Sequence, residues 1–140
     1  MTEQTYEIHT NRELEFMLRR GKPLAHFVDD HPAEANEDII PEKAFESYVQ
    51  SGKFLKRDYV ELGRLRHVFY ARPAEEWRID AFIAMLSVAA KTGWSEGFER
   101  LEGKLLGYED WQTDIHLERL RANPHAVEFA WLRKSEQCKA

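Results

Sequence analysis

A chain of 140 residues with net charge −5, 43% hydrophobic and 32% charged, has the size and balance of one compact domain. The negative total disfavours a general nucleic-acid or anionic-membrane binder, and a lone cysteine, Cys138, excludes an internal disulfide. The opening Met-Thr-Glu-Gln-Thr has neither the basic nor the apolar region of a secretory signal, so cytoplasmic residence is expected.

Tyr6 to Thr10 alternates like a short edge strand, and Thr10 with Glu13 reads as a capping box for a helix bearing Leu14, Met17 and Leu18, stopped by Gly21. Leu24 to Val28 is a short apolar run after Pro23 and reads as a strand. Asp29 to Asp38 holds five carboxylates without periodicity and predicts an exposed loop. A helix begins near Pro41, with Phe45, Tyr48 and Val49 on one face and Gly52 beyond its last turn.

Phe54 to Leu62 and Leu65 to Ala71 read as paired strands joined around Gly63. In the second, both parities are aliphatic or aromatic, as in a strand covered on each side. Arg72, held extended by Pro73, separates this hairpin from the most strongly patterned stretch of the chain. From Pro73 to Gly93 the pattern is that of a core helix: Pro at the start, Glu75 and Glu76 in the first turn, Gly93 as the stop. Only Ser87 is polar between Ala81 and Ala90, so this half is expected to be covered on all sides.

Ser95 is the expected N-cap of the next helix, with Phe98, Leu101 and Leu105 along one side and Gly107 at its end. Gly103 inside that helix costs about 1 kcal/mol relative to Ala and predicts a close packing contact there. Asp110 is the expected cap of a helix reaching about Ala122, and Asn123-Pro124 opens a last helix or strand over 125–134. The fold class expected is α+β: one domain over 1–134 with a small, mainly antiparallel sheet packed by helices on one face, a mostly helical C-terminal half and a flexible tail at 135–140.

No stretch carries a specific catalytic or ligand-binding signature. His26, Asp29 and His31 are the densest cluster of metal-ligand types and would suit a small metal-dependent hydrolase. Against that, His26 and Asp29 fall on opposite faces of a strand, and Asp-Asp-His-Pro is ordinary turn composition, so no metal and no cofactor is expected. His67, mid-strand, is expected to face inward as a structural residue with a backbone or carboxylate partner, or else as a general base. Glu76 and Asp80 repel across one helical turn unless a cation, Arg72 or Arg78, stands between them.

Charge layout is the most informative feature. Asp29 to Glu46 holds seven acidic residues against Lys43, and Lys53 to Arg72 six basic ones against Asp58 and Glu61, or about −6 and +4. Such a basic, aromatic-bearing hairpin at 53–72 fits a non-catalytic protein-interaction or regulatory module that docks through Arg64, Arg66, Tyr59 and Tyr70. A single-stranded nucleic-acid binder is the further alternative, and an internal match between the two segments would account for the same pattern.

Overall fold

Alternation decides where the strands go. Residues 65–71 are apolar or aromatic on both parities, which suits a strand buried on both faces, and this strand lies in the middle of the sheet. The computed structural model describes residues 9, 11–30, 36–61 and 63–122. In it β1 (Leu24–Asp29) and β2 (Leu55–Glu61) run antiparallel on either side of β3 (Leu65–Ala71). Gly63 adopts φ 71° in the β2–β3 turn, a left-handed geometry that glycine enters without a Cβ penalty.

Side chains alternate across a strand, so Leu24 and His26, Tyr59, and His67 and Phe69 share one face while Ala25, Val68 and Tyr70 share the other. Helices α1 (Glu13–Arg19) and α2 (Glu42–Gln50) cover the second face, where Met17 and Phe45 join Ala25, Val68 and Tyr70 in one core cluster. After a 3-10 turn at Pro73–Glu75, α3 (Trp77–Thr92) and α4 (Glu96–Leu105) cover the first face, with Ile79, Phe82, Met85, Leu86 and Leu105 packed around Leu24 and Phe69. Helix α5 (Asp110–Ala122) lies against α4. The architecture is therefore α+β, but helices pack on both faces of the sheet and not on one, because β3 has two apolar faces to bury. Phe45, Phe69 and Phe82 are each fully buried, and truncating such a ring costs about 3–5 kcal/mol.

Local signals hold where the partners are close in sequence. The Ser95 hydroxyl accepts from the Phe98 N–H and caps α4. A Cβ on Gly103 would stand 2.6 Å from Thr113 Oγ1, the close contact expected where α4 meets α5. Other expectations are corrected. Helix α1 starts at Glu13 behind Arg12, because Asn11 turns left-handed at φ 66°, and Glu13 reaches back to the Asn11 N–H. Thr10 lies outside the described residues.

Coverage of α3 is one-sided: Ala84, Ser87 and Val88 are exposed, Val88 by 50%, since the sheet and α4 meet only part of the helix surface. Leu101 is exposed too, and α4 buries Glu99 instead, whose carboxylate accepts from the Trp94 indole N–H at 2.7 Å. Asp29, expected in the exposed loop, instead ends β1 and is buried, and Asp30 after it is exposed. The segments 1–8, 31–35 and 123–140, which include most of the first expected strand, the last expected element and the tail, lie outside the described residues. Among the described residues no helix is long and apolar enough to cross a membrane.

Candidate functional site

Three strands contribute to one polar row on the sheet face under α3. The register sets His67 opposite Val28 and Tyr59, with His26 and Glu61 on the diagonals, a separation long side chains can span. His67 Nδ1 lies 2.8 Å from His26 Nε2, and His67 Nε2 lies 2.7 Å from a Glu61 carboxylate oxygen. Glu61 and His67 are buried, and the rings of Phe69 and Phe82 flank His26. With Glu61 ionised, His67 donates from Nε2 and accepts at Nδ1, and His26 donates. His67 thus has the carboxylate partner expected of a structural histidine.

Of the metal set His26, Asp29 and His31, the first two point to opposite faces of β1, and His31 lies outside the described residues. Among the described residues no group of three His, Cys, Asp or Glu side chains could hold a metal ion.

On the hairpin, Arg66 donates to Asp58 at 2.9 Å and to Glu42, and Lys56 lies 3.2 Å from Glu42. The cation between Glu76 and Asp80 is Arg57 of β2, and neither Arg72 nor Arg78. The acidic segment and the basic hairpin are thus joined through Glu42. Arg64 is exposed at the turn and Tyr59 half-buried against the α3 core. Tyr70, expected at the surface with them, is only 1% exposed and stacks on Phe45 at 4.0 Å, because its parity faces α2. Its hydroxyl has no hydrogen-bond partner among the described residues, and burial raises its pKa.

A second ionisable group is buried where two turns meet. Lys22 sits between Gly21 and Pro23, and strand parity carried back from Leu24 turns it inward to 5% exposure. Its Nζ lies 2.8 Å from His9 Nδ1 and also donates to the Leu106 carbonyl, at the C-terminal end of α4 where the helix dipole favours a cation. Arg78 takes the neighbouring carbonyls of Lys104 and Leu105 at 2.9 and 3.2 Å. His9 stacks on Tyr108 with centroids 3.8 Å apart and meets Phe16 edge-on. The turns are pressed together so closely that a Cβ on Gly107 would stand 2.6 Å from Pro23 Cδ.

Between them opens a cleft of about 440 Å³ with Phe16, Pro23 and Trp111 in its walls and Lys22 and His9 in its lining. Ligand pockets are typically roughly 300–1,000 Å³. Lys22 has no carboxylate partner among the described residues. Burial lowers its pKa to about 7, with the charge of Arg78 adding to the effect and that of Glu13 opposing it. Burial, followed by the charges of Lys22, Arg12 and Arg20, lowers His9 to about 3, so the imidazole is neutral and its Nδ1 is an acceptor. A neutral Lys22 amine has two N–H groups for two acceptors, His9 Nδ1 and the Leu106 oxygen, which leaves its lone pair for chemistry.

Spacing and composition single out neither Lys22 nor Glu61. The signal that finds both is strand parity: 22 shares a face with Leu24 and His26, and 61 with Tyr59. Lysine and glutamate at strand ends are ordinarily solvated, which masks it. Comparison with known protein families, with curated proteins and with solved structures gave no match to this chain.

Proposed function

We propose that this protein is a small-molecule-binding domain whose ligand enters the cleft between the α1–β1 and α4–α5 turns, with the Lys22 amine as its anchor. The observation that carries this reading is a nearly buried amine, without a carboxylate partner among the described residues, in the lining of a cleft of ligand size. Natural folds pair buried cations, so an acceptor or counter-charge brought by a ligand completes the site. The aromatic wall supplies apolar contact, and the lysine and histidine supply orientation.

The test is an NMR titration with small carboxylates, phosphates and carbonyl compounds. Shifts clustered at His9, Lys22, Gly107 and the Trp111 indole, lost in a folded Lys22→Met variant, are the expected result. The reading is overturned if no compound moves these signals at millimolar concentration, or if Lys22→Met binds equally well.

A docking surface on the hairpin is the second reading, favoured by Arg64 at the exposed turn. It ranks lower because Lys56, Arg57 and Arg66 are matched by carboxylates of the same chain, so charge segregation has an account inside the fold. If that surface is used, Arg64→Glu removes a salt-sensitive protein association and leaves cleft binding unchanged.

A further inference from the structure

We infer that Lys22 is a nucleophilic amine that condenses reversibly with the carbonyl carbon of a small aldehyde or ketone, forming an imine in the cleft; this rests on the cleft being the ligand site. The geometry around Nζ favours a carbonyl partner over an anion. Its two acceptors, His9 Nδ1 and the Leu106 oxygen, hold both N–H groups of the neutral amine and direct the remaining lone pair away from them. Phe16, Pro23 and Trp111 give the cleft apolar walls beside the polar side chains of Arg20, Glu109 and Gln112, a mixed lining that suits a carbonyl compound with an aliphatic or aromatic body and a polar substituent.

The reaction balances with one proton drawn from solvent, which the protonated imine keeps. The Nζ lone pair forms a bond to the carbonyl carbon as the C=O π pair moves to oxygen, which takes up that proton from solvent water. Nitrogen then loses a proton to His9 Nδ1, 2.8 Å away, and the same proton goes on to the hydroxyl. Water leaves as the nitrogen lone pair closes the C=N bond. His9 is suited to this shuttle because its surroundings keep it from holding the proton: the ring is partly buried and stacked on Tyr108, and Arg12 and Arg20 beside it are cationic. A protonated imine would keep the Leu106 carbonyl as its acceptor at the negative end of α4. Lys22 and His9 are therefore assigned as nucleophile and proton carrier, with Trp111 and Phe16 shaping specificity.

The experiment uses the full chain, benzaldehyde as the probe and cyanoborohydride to trap the imine at pH 7, with peptide mapping. An amine with a pKa near 7 is half neutral at that pH, whereas an ordinary lysine is neutral in only about 0.04% of molecules, roughly a thousandfold less. Restricted access reduces that advantage, so Lys22 is expected to be alkylated at least about tenfold faster than exposed Lys53 and Lys91. Urea at denaturing concentration should abolish the preference. A His9→Gln variant that stays folded should slow Lys22 labelling and leave Lys53 and Lys91 unchanged. Labelling of Lys22 no faster than Lys53 overturns the inference, as does full Lys22 reactivity in denaturant. If ligands shift the cleft signals reversibly and no label reaches Lys22, imine chemistry fails while cleft binding stands. If neither occurs, both fail.

Discussion

On the sheet, Glu61, His67 and His26 stand in a row across three strands, and the carboxylate at one end gives each histidine a defined donor or acceptor role. At the α4–α5 turn, Lys22 and His9 are two bases side by side, touching a backbone carbonyl and aromatic rings but no acid among the described residues. Both sites are buried, yet their chemistry diverges. A carboxylate at the end of a histidine row closes the network, because each N–H between the three side chains faces an acceptor. Two bases together cannot both hold a charge, so one is neutral and the other is poised near neutrality. The first arrangement is a structural solution to burying polar groups, and the second leaves a reactive lone pair.

The comparison breaks most sharply at Glu61. Glu61→Leu strands the His67 N–H in the core and is expected to cost about 3 kcal/mol in a denaturant titration, because removing one partner of a buried pair leaves the other unsatisfied. Glu61→Gln keeps an acceptor and should cost less. A Glu61→Leu protein as stable as the parent would show that the row is not a closed network.

Lys22 should respond in the opposite sense. Its folded pKa, about 7, lies below the 10.5 of a free lysine, so between these values the unfolded chain binds more protons and stability rises with pH. The gain from pH 7 to 9 is expected to be about 2 kcal/mol more in the parent than in Lys22→Met. Parallel stability curves for the two proteins would remove the depressed amine from the account.

Gly103→Ala separates the sites spatially. The new methyl meets Thr113 Oγ1, and the resulting shift of α5 against α4 is expected to cost about 1 kcal/mol net of the helix-propensity gain. The variant should also slow benzaldehyde labelling of Lys22 while leaving the His26 and His67 NMR signals in place. Adding Thr113→Ala should recover stability, a coupling that a double-mutant cycle measures. The smallest effect is expected from Tyr70→Phe, within about 0.5 kcal/mol of the parent or slightly stabilising, since the lost hydroxyl makes no hydrogen bond among the described residues. A clear loss of stability there would mean that a buried polar atom matters even without a partner.

What the sequence made legible follows from distance along the chain. The hairpin around Gly63, the amphipathic α2, the Ser95 cap and the tight spot at Gly103 all depend on neighbours a few residues away or on one local exception to propensity. The exposed side of α3 was not legible, because an apolar run says nothing about how many neighbours the fold supplies; the sheet and α4 supply them on one side, leaving Ala84 and Val88 in solvent. His67 could be placed inward by alternation alone, but its partners could not, since Glu61 and His26 reach it only once three strands are in register. Lys22 was hidden for a related reason. A lysine next to Gly and Pro reads as solvated turn, and its burial is made tolerable by the distant His9 ring nitrogen, the Leu106 carbonyl and the Tyr108 ring.

Those long separations have a kinetic meaning. Lys22 and Leu106 are 84 positions apart and His9 and Tyr108 are 99 apart, whereas the β2–β3 hairpin closes across a short turn. Contacts between distant segments carry the larger loop-closure entropy and tend to form late. Until the two turns meet, Lys22 is an ordinary ammonium on a mobile segment, and afterwards it is a half-neutral amine. Brief pulses of an amine-reactive reagent during refolding would therefore register the moment of closure at one side chain. The same reagent, applied to the native protein, would report how often the α4–α5 end swings away while the sheet stays intact.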